Sequence, residues 1–475
     1  MEKNIIGRNG EKDQLNKILT SNKSEFLAVY GRRRVGKTFL IREYFAYKFD
    51  FQLTGLGNAT TEQQLTNYYV ALKRQSNIPI EKQPTNWFEA FQYLIDHLES
   101  LEKDEKKIIF LDELPWLATS KSDFMISLEH FWNSWATNRK DIVLITCGSA
   151  ASWMINELVN NHGGLHNRVT ERMRVEPFTL HETELLLKSK NSVLDRYQIL
   201  QLYMVMGGIP YYLDAIEPNQ SASQNIEKLC FKKGALLVTE FKNLFASLFK
   251  NAEKYEVIIR ALSTKNKGIT RQELVQLTKM KTGGSLSKRL IELEESGFIS
   301  RYTPFNKKKR ATLYRLSDFY SFFYLKFIEK NTSFDEGIWM NAIDHPKQRA
   351  WAGFTFEQIC LAHIPQIKKA LGIHGVWAQT AGWKSQTTAN NAQVDLVIDR
   401  RDQIINFCEA KYSINEYSIT KAYHGNLKNK IGTFKTETKT KKTIFLTFIT
   451  THGIAKNQYS IGLVQNEITM NDLFN

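Results

Sequence analysis

The stretch GRRRVGKT, residues 31–38, constrains this chain more than any other. An apolar run, FLAVY at 26–30, precedes it, and the segment TFLIREYF at 38–45 follows with helical spacing. Gly31, Gly36, Lys37 and Thr38 satisfy the pattern GxxxxGK[ST], which carries meaning only between a strand and a helix. In that setting the glycines let the backbone curl around phosphate, and the amides at the helix start favour negative charge. Lys37 is placed for the β- and γ-phosphates of a nucleotide, and the Thr38 hydroxyl for Mg2+. Because such a loop grips with its backbone, Arg32, Arg33 and Arg34 are expected to point outward, toward a mobile domain, an acidic partner or solvent.

Two further apolar runs, IIFL at 108–111 and IVLIT at 142–146, are continuous rather than alternating. Such runs suit strands buried on both faces of a parallel sheet. With helical patterns between them, they predict a doubly wound α/β domain. The second run ends in Asp112 and Glu113, at the strand edge where ligands gather. Asp112 is expected to hold Mg2+ through water and Glu113 to polarise the attacking water; the alternative is an acidic turn. Ser149, after the third run, reads either as a γ-phosphate sensor or as a helix cap. Arg168, in GGLHNRVTERMRV, reads either as an arginine finger, in cis or in trans, or as a surface ion pair.

Lys and Arg number 64 against 49 Asp and Glu, a net charge of +15. That excess points to a polyanionic partner, in the first instance nucleic acid; the alternative is a generally basic surface. The four cysteines are far apart, without CxxC or HExxH, which argues against zinc and suits free thiols in a reducing compartment. No apolar run nears the roughly 18 residues of a membrane span, and the N-terminus has no signal core. A cytoplasmic location is expected.

Residues 181–250 read as all-helical. Residues 251–320 read as three helices and a hairpin, the winged form of helix-turn-helix. Thr270 and Glu273 form a capping box, and Leu286, Leu290 and Leu293 make one buried stripe. In a DNA reading Ser285, Ser287, Lys288 and Arg289 face the major groove, while Lys307, Lys308, Lys309 and Arg310 in the wing contact phosphates. The alternative is a protein-packing module, which the acidic Glu292, Glu294 and Glu295 favour.

In NNAQVDLVIDRRDQIINFCEAKYS, two apolar strands flank a polar turn. Ile405, Phe407, Glu409 and Lys411 share one face by period two. Asp395 lies opposite Val394, Leu396 and Ile398 in the alternation, so it can meet Glu409 and Lys411 across the hairpin. Asp395 and Glu409 could then bind Mg2+, with Lys411 placing a nucleophile or stabilising negative charge. The alternative is a surface ion pair.

Several of these motifs resemble known families. IIGRNGEKDQL looks like the GRxxE…L box of AAA+-related and STAND-type P-loop ATPases. GRRRVGKT, FLDELPWL, CGSAASWM and MGGIPYYL resemble the archaeal-type ATPases of that superfamily. The resemblance implies a helical lid near the adenine that carries Pro210, with Gly7 and Arg8 on the other side of the base. Val35 and Phe39 then join the loop as ATP contacts. The D…ExK pattern resembles the PD-(D/E)XK restriction-endonuclease-like fold, although Val394 stands where proline may precede the acid. GFTFEQICLAHIPQI is similar to that fold's first helix and adds Glu357 as a nuclease candidate.

The implied layout is a P-loop ATPase core at 1–180, a helical lid at 181–250, a winged helix at 251–320, a helical connector at 321–345 and a nuclease-like α/β domain at 346–475. The expected function is ATP binding and hydrolysis coupled to nucleic-acid binding, with Mg2+-dependent phosphodiester cleavage. The alternatives are a DNA-binding switch that does not cut and a STAND-type signalling ATPase. The oligomeric state is left open.

Overall fold

Five short strands in the first third pair in parallel, in the order β2-β3-β4-β1-β5. They are β1 (Glu25–Tyr30), β2 (Phe51–Thr54), β3 (Lys107–Asp112), β4 (Ile142–Gly148) and β5 (Glu171–Arg174). β3 and β4 are buried throughout and β1 along all but its last residue, as continuous apolar runs require. Helices Thr61–Gln75 and Trp87–Glu99 cover the sheet. Each starts on a side-chain cap, Thr60 with Gln63 and Asn86 respectively. Phe26, Phe51, Tyr68, Trp87, Phe91 and Trp132 fill the core. Because the strands are parallel, the segments after β1, β3 and β4 all emerge at one edge of the sheet.

This computed structural model describes residues 5–159, 167–331, 337–385 and 392–475. The chain divides into two units, Met1–Pro177 and Phe178–Asn475. Part of the expected connector, 332–336, and part of the GGLHNR segment, 163–166, lie outside the described residues. Among the described residues no helix is long and apolar enough to cross a membrane. All four cysteines are buried free thiols.

The second unit opens with helices Leu180–Ser189, Arg196–Met206, Pro210–Asp214, Ala222–Cys230 and Leu236–Leu248. Helices Ala252–Ser263, Arg271–Thr278 and Gly284–Glu295 follow. With them goes a small sheet in the order β6-β8-β7: β6 (Ile269–Thr270), β7 (Ile299–Tyr302) and β8 (Leu313–Leu316). That is the three-helix-and-wing arrangement, and Leu286, Leu290 and Leu293 are its buried stripe. The last sheet runs β13-β12-β11-β10-β9, with β9 (Ala378–Lys384), β10 (Gln393–Arg400), β11 (Ile404–Lys411), β12 (Thr443–Thr450) and β13 (Asn466–Thr469). β9, β10 and β11 are antiparallel; β11, β12 and β13 are parallel, joined through helix Lys421–Thr438.

The sequence divides residues 181–475 into four domains, yet they pack as one unit because their aromatic residues interlock. The Trp339 ring lies 5.9 Å from Phe231 of the helical segment, 5.1 Å from Phe323 and 5.8 Å from Trp351 of helix Pro346–Ala362. The wing is also docked. The Phe305 amide donates to the Gly382 carbonyl on β9 at 2.8 Å, and its ring lies 5.3 Å from Phe434.

His363 is a second joint. Its Nε2 accepts from the Leu180 amide at 3.1 Å and its Nδ1–H donates to the Ile359 carbonyl at 2.9 Å, which fixes the neutral tautomer. Burial pushes this imidazole down to about 4, against the opposing effect of the Ile359 bond. The unfolded chain binds the proton more readily between pH 6.5 and 4, so stability falls as pH drops through that window. Thermal melts of wild type and His363→Asn across it should show the wild type losing on the order of 3 kcal/mol more. Parallel curves would contradict this.

Candidate functional site

β1 delivers the glycine-rich loop into a tight fit. Gly31 sits at φ 140°, and a Cβ there would lie 2.3 Å from the Val175 carbonyl oxygen just past β5. Gly36, at φ 87°, precedes helix Lys37–Tyr44. Lys37 is buried, and its Nζ donates to the carbonyls of Gly31 at 3.1 Å and Arg32 at 3.0 Å. Burial holds its ammonium pKa below the usual lysine value.

Arg8, in the left-handed region at φ 56°, donates to the Val35 carbonyl at 3.0 Å and the Glu176 carbonyl at 2.7 Å. It therefore braces the loop against the segment after β5, a role its sequence position did not suggest. Gly7 beside it has φ 61°. Arg32, expected to point outward, is 3% exposed, and Arg33 and Arg34 are half-buried. Val175 closes on the loop at Gly31, and the side chain that follows lies inside the protein. Val35 is buried and Phe39 is exposed.

The end of β3 faces this loop. The Thr38 hydroxyl bonds both oxygens of Asp112, at 3.1 and 3.0 Å, and Arg42 stands 3.9 Å away. Burial first, and neighbouring Glu113 second, raise the Asp112 carboxyl above its ordinary value. A hydroxyl beside a carboxylate is an oxygen set suited to a hard cation. Glu113 takes a left-handed backbone, φ 48°, and its carboxylate accepts from Ser149 Oγ at 2.9 Å and Ser149 N at 3.4 Å. The following helix begins at Ala151 with Ala150 in the cap position, so Ser149 is engaged with Glu113 rather than capping. Arg168 lies exposed in the turn before β5. Pro210 is the first residue of its helix in the second unit, after Gly207 and Gly208 at φ 64° and 69°.

The C-terminal acids fall into two groups. Glu357, on helix Pro346–Ala362, meets Asp395 of β10, and Gln393 Nε2 donates to Asp395 Oδ1 at 3.1 Å. Glu409, only 6% exposed, accepts from Lys430 Nζ at 2.6 Å and Tyr423 Oη at 2.8 Å, with Lys411 at 3.7 Å. Lys411 also lies over the Tyr423 ring, 4.9 Å from its centre.

The strict alternation expected along β10 is broken. Its register to β9 shifts between Val394 and Val397, and these two valines share the core facing helix Lys421–Thr438. The bulge therefore separates Val394 from Leu396 and Ile398, with which strict alternation grouped it. Among the described residues no group of three or more His, Cys, Asp or Glu is placed to hold a metal. Tyr423 and Lys430, missed in the sequence, stand seven apart on one helix, a spacing that puts them on one face.

On the winged helix Ser285, Lys288, Lys307, Lys308 and Arg310 are exposed, and the Lys309 side chain lies outside the described residues. Arg289 instead turns back to Ser285, with its guanidinium 5.9 Å from the centre of the Tyr255 ring.

The parallel sheet, the glycine loop with its buried lysine and the acid pair ending β3 define a P-loop ATPase domain. Residues 6–216 match the family described as an ATPase domain predominantly from Archaea. An uncharacterized protein of Methanocaldococcus jannaschii is 24% identical over 431 residues, 88% of this chain and 90% of that protein. An uncharacterized ATP-binding protein of the same organism is 25% identical over 302 residues, 54% of this chain and 82% of its own length. The Walker-type ATPase of Pyrococcus abyssi shares the fold, with a TM-score of 0.51 and 17% identity, over 68% of this chain and 97% of that one.

Glu357 also gives a pH signature. Burial, reinforced by Asp395, pushes its carboxyl up to about 8, against the opposing charges of Lys267 and Lys411. The folded state therefore binds the proton more readily than the unfolded chain, and stability falls as pH rises from about 4.5 to 8. Glu357→Gln should gain in melting temperature relative to wild type at pH 8.5 compared with pH 4.5. An equal difference at both would show that Glu357 titrates normally.

Proposed function

We propose that this chain is an ATPase whose nucleotide state governs nucleic-acid handling by the acid–lysine site of its second unit. The observation that carries the ATPase half is the Thr38–Asp112 pair beside buried Lys37, with Glu113 held by Ser149. Lys37 exchanges the carbonyls of its own loop for phosphate oxygens, a stronger, charge-assisted bond. Thr38 and Asp112 would hold Mg2+, which when bound offsets charge on the β- and γ-phosphates. Glu113 accepts a proton from the attacking water, and Ser149 fixes the direction of its carboxylate. Gly7, Val35, Phe39 and Pro210 remain candidates for nucleotide contact, and Arg168 for a finger.

In the second unit Glu357, Asp395, Glu409 and Lys411 support phosphodiester chemistry. Asp395 and Glu409 would hold Mg2+, which when bound lowers the pKa of water and neutralises phosphate. Lys411 stabilises charge developing on the phosphodiester. Exposed Ser285, Lys288, Lys307, Lys308 and Arg310 on the winged helix give phosphates and bases their contacts. A second reading, a nucleotide-driven binding or STAND-type switch that does not cut, is favoured by one observation: Glu409 already engages Lys430 and Tyr423.

Incubating the full chain with linear DNA, circular DNA and RNA in Mg2+, with and without ATP, separates these readings. Lys37→Ala should abolish ATP hydrolysis, and Glu113→Gln should lower it about 10²-fold or more while retaining binding. Cleavage that disappears in Lys411→Ala supports the nuclease. Hydrolysis without cleavage of any substrate selects the switch, and hydrolysis that survives Lys37→Ala overturns the ATPase site.

A further inference from the structure

Between the winged helix and the C-terminal sheet lies a cavity of about 390 Å³, lined on one side by Glu357 and Asp395. Its other lining is mostly cationic: Lys265 and Lys267 from the loop before β6, with Lys265 paired to Glu273 at 2.8 Å, Arg315 from β8, and Lys384 at the end of β9. Arg315 is the unusual member. Its Nε is sealed from solvent and makes no hydrogen bond among the described residues, and its guanidinium stands 5.4 Å from the centre of the Tyr302 ring. A guanidinium has five donors, and burying one without an acceptor is costly. An anionic ligand in the cavity would offset this poorly solvated charge, and the carboxylates opposite require one that can also face a cation. Phosphodiester oxygens meet both demands.

The shape narrows the ligand further. The volume is at the small end of the ~300–1,000 Å³ range of small-ligand sites, room for separate nucleotides rather than a helical duplex. The wing cannot open onto a groove without breaking the Phe305–Gly382 bond and the Phe305–Phe434 contact. Phe354 joins Tyr302 in the lining, the mixture of rings and cations that suits an unpaired strand.

We propose that the winged helix supplies the cationic wall of the C-terminal acid site, and that this wall takes the phosphodiester backbone of a single-stranded polynucleotide. The inference rests on the reading of Glu357 and Asp395 as a nucleic-acid site. Lys267 and Lys384, both exposed, contact phosphates at the mouth, and Arg315 contacts one at depth.

Fluorescence anisotropy with labelled oligo-dT, oligo-rU and a duplex of equal length, in EDTA over a salt series, tests it on the full chain. Wild type should bind single strands more tightly than duplex, and the tighter of dT and rU names the source of the strand. The double variant Lys267→Ala, Lys384→Ala should weaken single-strand binding tenfold or more. Its slope of log K against log salt should fall by about 1.4, about 0.7 for each lost phosphate contact. Asp395→Asn should tighten binding by removing a repulsive charge. Wild-type binding with slope and affinity unchanged in the double variant, or a preference for duplex, overturns the inference and leaves the proposed function standing. No binding of any oligonucleotide overturns both.

Discussion

An ammonium group taken out of water is the constraint on which the first unit depends. Burial disfavours the charge of Lys37, so its lost hydration must be replaced by the loop itself. The carbonyls of Gly31 and Arg32 do so, and they converge because Gly31 and Gly36 adopt backbone angles that other residues resist. Arg8 then holds the loop's far side through the Val35 carbonyl. The loop is therefore shaped on folding, around its own lysine.

The second unit handles buried charge with the opposite sign. Glu357 and Asp395 share a poorly solvated space, which favours holding a proton between them. Glu409 solves the same problem with a lysine and a phenol, and Tyr423, through burial first and that negative neighbour second, holds its proton well above the usual phenol range. A buried carboxylate stripped of its lysine would be strongly destabilising. Any ligand that frees Glu409 from Lys430 must therefore bring positive charge of its own. That requirement ties the state of Glu409 to cations.

The parts legible in the sequence were those where local pattern and tertiary role coincide. The loop GRRRVGKT, the strand IIFL and the hairpin of β10 and β11 were readable because strand and turn sit within a few residues. β2 and β5 were not, because FQLT and ERMR are short and mixed, and their strand state comes from neighbours in the sheet. Arg32 was misjudged for a related reason: a positive charge in a loop reads as solvated, yet Arg32 is buried. Arg315 carried no signal at all, since the groups around it, Tyr302, Asp395 and Glu357, come from three other elements.

The bulge in β10 shows why these distant placements matter together. Without it, Val394 would pair in phase with Leu396 and Ile398, and the acid between them would have no irregularity beside it. The same stretch is where the wing leans. Gly382 faces the bulge, and a Cβ there would lie 3.3 Å from the Tyr302 ring and 3.4 Å from the Asp395 carbonyl oxygen. Glycine at this point lets the wing's tyrosine and the acid's backbone approach the same edge. A movement that lifts the wing from β9 must therefore be felt at Asp395, through packing that has little room to deform continuously. A ligand can bias that movement only through unequal contacts with the docked and lifted arrangements. The Phe305–Gly382 bond is one contact that the docked arrangement alone possesses, so it sets part of what lifting the wing would cost.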